Sequence, residues 1–108
     1  MQIKIKRTKN FIVISLSGDM DAYEAEKFAM AAPAATKGKE GVALDLGRLS
    51  YISSSGLNAI IGLRNALQRE GRRLVLLSLK GKVLEVFRIS KLCDIFEIRE
   101  SLEDASKK

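Results

Sequence analysis

Residues 42–57 read VALDLGRLSYISSSGL, a strand pattern followed by a helix pattern. The run 42–46 is short and almost continuously apolar, as in strands that are covered on both faces. Apolar residues then recur at helical spacing at Leu57, Ile60, Ile61, Leu63 and Leu67. We therefore predict a buried strand at 42–46, a short loop, and a helix that begins near Ser54 and ends at Gly71.

The segment upstream of this stretch predicts a hairpin and a helix. The alternating residues 3–6 and the β-branched run 11–16 are typical of two antiparallel strands. Residues 18–21 interrupt this pattern, and Asp21 precedes Glu24 by the spacing of a capping box. Apolar residues follow at helical spacing at Ala25, Phe28, Ala29 and Ala32. We expect this helix to weaken at Pro33.

The segment downstream repeats the alternation. Residues 74–77 predict a second buried strand, and Val83, Val86 and Phe87 predict a helix after Gly81. Residues 95–98 predict a last strand, and Ser101 can cap a final short helix. The order β-β-α-β-α-β-α-β-α predicts an α/β fold. We expect residues 1–108 to form a single domain with a mostly parallel central sheet and an antiparallel hairpin strand at one edge.

The composition excludes most catalytic chemistry. The chain has 108 residues, no His and one Cys. Without His there is no Ser-His-Asp or Cys-His nucleophile and no His-containing zinc site. One Cys permits neither an internal disulfide nor a cysteine metal cluster, and we interpret Cys93 as a small buried hydrophobic residue. We therefore predict a protein that is not an enzyme and holds no metal and no cofactor.

The net charge of +6 is concentrated in two regions. Residues 1–10 carry four basic and no acidic side chains, and residues 64–91 carry eight basic and two acidic ones. The basic residues alternate with apolar ones and Trp is absent, which favours solvated faces over a nucleic-acid interface. A surface for an anionic partner is the alternative.

We expect the protein to be neither secreted nor inserted in a membrane. Its longest apolar runs are far shorter than the roughly 20 residues that cross a bilayer. Its first residues alternate between apolar and basic, whereas a signal peptide would be continuously apolar. We expect a cytoplasmic protein.

Three serines, Ser53, Ser54 and Ser55, stand at the predicted strand-to-helix turn. Serine hydroxyls accept hydrogen bonds from the free N–H groups of a helix start, so N-capping explains their presence. A phosphorylation site, a phosphate cradle or a nucleophile are alternatives. The last two lack support, because the chain contains neither G-x-S-x-G nor the Walker pattern.

One side of the predicted helix carries small uncharged residues. At about 100° per residue, Ser54, Asn58, Gly62 and Asn65 fall within a sector of about 80°; we call them the polar strip. Exposed helix faces favour Lys, Glu and Ala, and an interior Gly costs about 1 kcal/mol relative to Ala. The strip therefore suggests a face that another molecule approaches closely, with neutral drift as the alternative. Arg64 falls within the apolar arc, and we assign it no function.

Three aspartates are candidate site residues. Asp19 and Asp21 could bind a metal, but carboxylates beside a helix start are more often caps. Asp45 ends the predicted central strand and should lie at the carboxyl edge of the sheet, where functional loops gather. It could equally satisfy the following turn.

Two motifs resemble those of the STAS domain, in particular the stand-alone bacterial anti-sigma factor antagonists. Residues 42–57 are similar to that family's strand ending in L-D-L, short loop and D-S-S-G-L helix start. Residues 16–21, LSGDMD, are similar to its L-x-G-x-[LM]-D element. The spacing and the order of elements match over essentially the whole chain.

The resemblance implies partner switching. In such families the antagonist captures an anti-sigma factor that is also a serine kinase, which frees a sigma factor. The kinase phosphorylates a serine at the helix start and ends the capture, and a serine phosphatase resets it. By position the phosphoacceptor is Ser54. Ser53 stands where the family often has Asp, so the acceptor could shift to Ser53 or Ser55, or be lost. The partner-binding residues would be Asp19, Asp21, Ser53, Ser54, Ser55, Asn58, Gly62 and Asn65.

Three other functions stay open at this stage. A STAS scaffold of another signalling or transport system could bind a partner without phosphorylation. A small nucleotide-binding or hydrolytic domain could use Asp19, Asp45 and Ser54, but it would have only carboxylates as bases. Direct binding of nucleic acid is the third, and we do not expect it.

Overall fold

The computed structural model describes residues 1–107. Its elements are β1 (Gln2–Arg7), β2 (Phe11–Met20), α1 (Ala22–Ala35), β3 (Gly41–Ile52), α2 (Ser54–Arg69), β4 (Leu74–Leu77), α3 (Gly81–Ile89), a 3-10 turn (Leu92–Asp94), β5 (Glu97–Arg99) and α4 (Leu102–Lys107). The strands form one sheet in the order β1-β2-β3-β4-β5. β1 is antiparallel to β2, and the other neighbours are parallel. The predicted fold class and element order are confirmed.

The two faces of the sheet are covered unequally. The first three helices pack over one face, where they bury side chains such as Ile14, Leu44 and Leu76. The short helix α4 packs on the opposite face through Ala105, beside Phe11. The first face therefore holds the larger core, and it is the face on which α2 lies.

Strands β2 and β3 are longer than the sequence predicted. The segment 47–52, predicted as a loop, continues β3, and residues 17–20 continue β2. Pairing of β3 with β4 stops at Asp45, opposite Leu77, so the two long strands project beyond the sheet as a two-stranded ribbon. Register shifts in the ribbon break the strict alternation of apolar residues, which is why the sequence pattern fades there.

Smaller differences lie at the ends of elements. Helix α1 continues through Pro33 to Ala35, and its end is closed by Thr36, whose hydroxyl donates to the Ala32 carbonyl at 2.8 Å. Ala29, predicted in the apolar stripe, is exposed. The last strand begins at Glu97 rather than at residue 95, because the preceding residues follow the 3-10 turn.

Candidate functional site

The end of the β2–β3 ribbon brings the starts of two helices together. The Ser53 N–H donates to the Met20 carbonyl at 2.9 Å. Asp21, the next residue after Met20, caps α1, and Ser53 caps α2. Two motifs that lie about thirty residues apart in sequence thus meet at one end of the molecule.

The three serines have different roles in this geometry. The Ser53 hydroxyl accepts from the Gly56 N–H at 3.1 Å, so the N-capping interpretation applies to Ser53. Ser54 is the first residue of α2 and is exposed. Within residues 1–107 its hydroxyl has no hydrogen-bond partner. Ser55 is also exposed, but it faces α1 and lines a depression with Ala22 and Asn58.

Gly56, which the helical pattern alone does not distinguish, fixes where Ser54 stands. A Cβ on Gly56 would lie 2.7 Å from Ile52 Cγ1 and 2.8 Å from Met20 Sδ, closer than real contacts allow. Both neighbours are buried, so the first turn of α2 can sit this low on the ribbon only with glycine here. Glycine is costly inside a helix, and this cost is what drew attention to Gly62. The same criterion could have identified Gly56.

The two aspartates near the serines are both exposed. The Asp21 carboxylate accepts from the Glu24 N–H at 2.9 Å, as an N-cap does. Asp19 lies on the ribbon opposite Tyr51, whose side chain is 52% exposed. Across residues 1–107, no three side chains of His, Cys, Asp or Glu come together as a metal site would require.

The polar strip does not form one flat surface. Its four residues are all exposed, but Asn58 and Gly62 line a cleft between α1 and α2, whereas Asn65 faces the other way, toward Arg69. Beside it, Arg64 donates from Nε to the Ile95 carbonyl at 3.1 Å and so joins α2 to the segment after α3. The strip therefore runs along the crest of α2.

Asp45 does not join this site. It lies within β3, and Oδ1 of its carboxylate accepts from the Gly47 N–H at 3.0 Å. The strand continues to Ile52, which at about 3.3 Å per residue places Asp45 roughly 20 Å from Ser54. Asp45 instead shares a depression of about 340 Å³ with Lys4 and Arg48 on the other sheet face. The prediction that Asp45 ends its strand is wrong, and a hydrolytic site built from Asp19, Asp45 and Ser54 is not assembled.

Two remaining observations concern Cys93 and membrane spans. Cys93, predicted to be a small buried hydrophobic residue, packs against the core but is only partly buried. Within the part of the chain that the structure describes, no helix is both long enough and apolar enough to span a membrane.

The fold and the helix start together define a known class of domain. The family model of the STAS domain matches residues 2–105. The chain therefore belongs to the STAS domain family.

Within this family, the similar curated proteins form a narrower group. BtrV of Bordetella bronchiseptica is 36% identical over 107 residues, which cover 98% of this chain and 92% of BtrV. The anti-sigma-B factor antagonist of Listeria monocytogenes is 36% identical over 102 residues, 92% of this chain and 89% of the relative.

Solved structures share the fold at lower identity. A Thermotoga maritima protein superposes with a TM-score of 0.89 at 19% identity, covering 97% of this chain and 92% of that one. The Bacillus cell fate determinant SpoIIAA in its phosphorylated form gives 0.69 at 22% identity, covering 98% and 97%. At these identities the likeness concerns the fold.

Proposed function

We propose that this protein is an anti-sigma factor antagonist that acts by partner switching. Its unphosphorylated form binds an anti-sigma factor that is also a serine kinase and so releases a sigma factor. Phosphorylation of Ser54 ends the binding, and a serine phosphatase restores it. Membership of the STAS family and the names of the 36% identical relatives support this role. The observation that carries the site is the free, exposed Ser54 hydroxyl at the start of α2.

The capping pattern favours Ser54 over its neighbours as the phosphoacceptor. Ser53 is only half-exposed, and its hydroxyl is held by the Gly56 N–H, so a kinase would have to detach it from the cap before transfer. Ser55 is turned toward α1, where Glu26 lines the same depression and would repel a phosphate. Ser54 has neither disadvantage.

A phosphate on Ser54 should be tolerated by the fold. It adds about −1.5 to −2 charges at the positive end of a helix dipole. The first N–H groups of α2 have no acceptor inside the helix and can bind phosphate oxygens. Phosphorylation would therefore leave the domain folded, and the switch has to act at the interface. A bulky, strongly hydrated group at the head of the polar strip would keep a partner from close contact with Asn58 and Gly62.

In this role the protein is a substrate and a ligand, and it needs no base of its own. The absence of His fits that role. Its compartment would be the cytoplasm, where sigma factors act. The exposed Asp19 and the Asp21 cap flank the helix start, and we assign them to the rim of the docking surface.

The specific observation that favours the scaffold alternative is Ser53 in place of the family's Asp. A serine caps α2 as well as an aspartate would, but it presents no charge to a kinase. A STAS scaffold that binds its partner without phosphorylation would show the same fold.

The test is incubation with the cognate anti-sigma factor and Mg-ATP, followed by intact-mass measurement and fragmentation. We expect one phosphoryl group, placed on Ser54, in wild type and in Ser53→Ala and Ser55→Ala, and none in Ser54→Ala. Binding without any phosphorylation would establish the scaffold alternative. If the protein neither binds the anti-sigma factor nor is phosphorylated by it, the proposed function is refuted.

A further inference from the structure

A cleft of about 560 Å³ lies between α1 and α2. Small-molecule sites typically have volumes of about 300–1,000 Å³. Most of the lining is small and apolar, and it includes Ala29, Ala32, Pro33, Ala59, Gly62 and Ala66. The cleft thus has the size and the lining of a ligand site.

The volume exists because small residues face each other across the two helices. An added Cβ on Gly62 would meet no described atom within 4 Å, so the backbone itself forms that part of the wall. Protein interiors are close-packed, with few voids larger than a water molecule. A larger side chain at Ala59, Gly62 or Ala66 would have filled the space, and an unfilled apolar concavity suits an apolar ligand.

One end of the cleft is charged and contains an unusual arginine. Arg72 is only 6% exposed, its Nε donates to the Glu40 carbonyl at 2.7 Å, and its Nη1 donates to Glu70 at 3.0 Å. Its Nη2 is buried, and no acceptor for it is present within residues 1–107. A buried N–H without an acceptor is costly. The guanidinium therefore has one N–H group, on Nη2, without an acceptor. Because this atom is closed to solvent, a ligand in the cleft reaches it only after a neighbouring side chain has moved.

We propose that this cleft binds a straight-chain fatty carboxylate, with its carboxylate on Arg72 and its chain along the alanine and glycine wall. The charged side chains of the lining are Lys37, Arg72 and Glu70, so this end carries a net positive charge that favours an anion. A planar guanidinium matches a carboxylate better than it matches a hydroxyl. Lys37 and Glu70 are exposed long side chains that can swing aside to admit the head group.

The site also has a consequence for partner binding, which rests on the proposed function, whereas ligand binding itself does not. Asn58 and Gly62 belong both to the polar strip and to the wall of the cleft. A bound chain would change the surface that a partner meets on α2. A bound fatty carboxylate and a phosphate on Ser54 would then both change the surface of α2 that the partner contacts.

The experiment is an NMR titration of the ¹⁵N-labelled full chain with decanoate, below its micelle concentration, and with 1-decanol as the uncharged control. We expect decanoate to shift amides of α1 and α2 around Ala29, Ala59 and Ala66. Decanol should bind about tenfold or more weakly, because it lacks the charge-assisted bond to the guanidinium.

Three variants locate the site. Ala66→Leu fills the cleft and should abolish decanoate binding. Arg72→Gln should lower the affinity for decanoate to that for decanol, and Arg69→Gln, which changes a cation outside the cleft, should leave it unchanged. If Arg72→Gln fails to fold, Ala66→Leu decides. Shifts outside the cleft, equal affinity for decanol, no binding, or full binding by Ala66→Leu would each overturn the proposal. None of these readouts depends on phosphorylation of Ser54.

Discussion

Replacing Gly56 with Ala tests whether close packing at the start of α2 positions the site. The new Cβ would come within 2.7 Å of Ile52 Cγ1 and 2.8 Å of Met20 Sδ. Ile52 is 3% exposed and Met20 is fully buried, so neither side chain can move outward into solvent. The first turn of α2 would have to rise from the ribbon, and Ser54 would move with it.

The magnitude follows from two opposing terms. Overpacking of a filled core costs about 1–3 kcal/mol, and replacing glycine by alanine in a helix recovers up to about 1 kcal/mol. With the full offset, we expect the free energy of unfolding of Gly56→Ala to fall by up to about 2 kcal/mol. For a domain of about 100 residues, each kcal/mol lowers Tm by about 4–8 °C.

Gly62→Ala is the matched control, because it makes the same change in the same helix where an added Cβ meets open space. It should raise stability by up to about 1 kcal/mol. Urea unfolding followed by circular dichroism measures both variants, and phosphorylation by the cognate kinase reports on Ser54. If Gly56→Ala is as stable as Gly62→Ala, the packing argument is wrong. If it is destabilised but phosphorylated at the wild-type rate, Gly56 does not position Ser54.

Four further variants test the site itself. Ser54→Asp should weaken binding to the anti-sigma factor by about tenfold or more, because a charge must be desolvated at the interface, and it should leave Tm unchanged. Calorimetric titration measures the affinity, and thermal melting measures Tm. Wild-type affinity would contradict the switch. Gly62→Arg should abolish capture while circular dichroism stays unchanged, because the side chain extends into open space; a variant that still captures its partner would remove Gly62 from the interface. Ser53→Ala should lose about 1 kcal/mol of stability. Ser53→Asp should lose none, because Asp caps a helix as well as Ser does. Equal urea midpoints for the two variants would show that the cap contributes nothing.

The sequence was most informative where a pattern is local. The strand 74–77 appears with the predicted bounds, and α2 begins at Ser54 as expected, because a capping hydroxyl and an apolar arc act within one or two turns. The ribbon at the ends of β2 and β3 was missed, since its register shifts cancel the period-two pattern. The mid-strand position of Asp45 was missed for the same reason.

The shape of the candidate site depends on contacts between elements, which one helix cannot reveal. Helical periodicity placed Asn58, Gly62 and Asn65 in one narrow sector, and all three are exposed as predicted. Whether each of them faces another helix depends on where α1 lies. Because α1 packs beside α2, Asn58 and Gly62 line the cleft between the two helices. The role of Arg72 was likewise hidden, because the Glu40 carbonyl that it binds comes from a distant loop.

Both edges of the sheet resist growth by addition of another strand. Every residue of β1 is exposed, and Lys4 and Lys6 alternate along it; a second copy pairing there would bring ammonium groups against ammonium groups. At the other edge, β5 has three residues, too few to guide a long partner strand. Part of the basic charge at the start of the chain thus opposes pairing of this edge with a second copy, which is a route to aggregation.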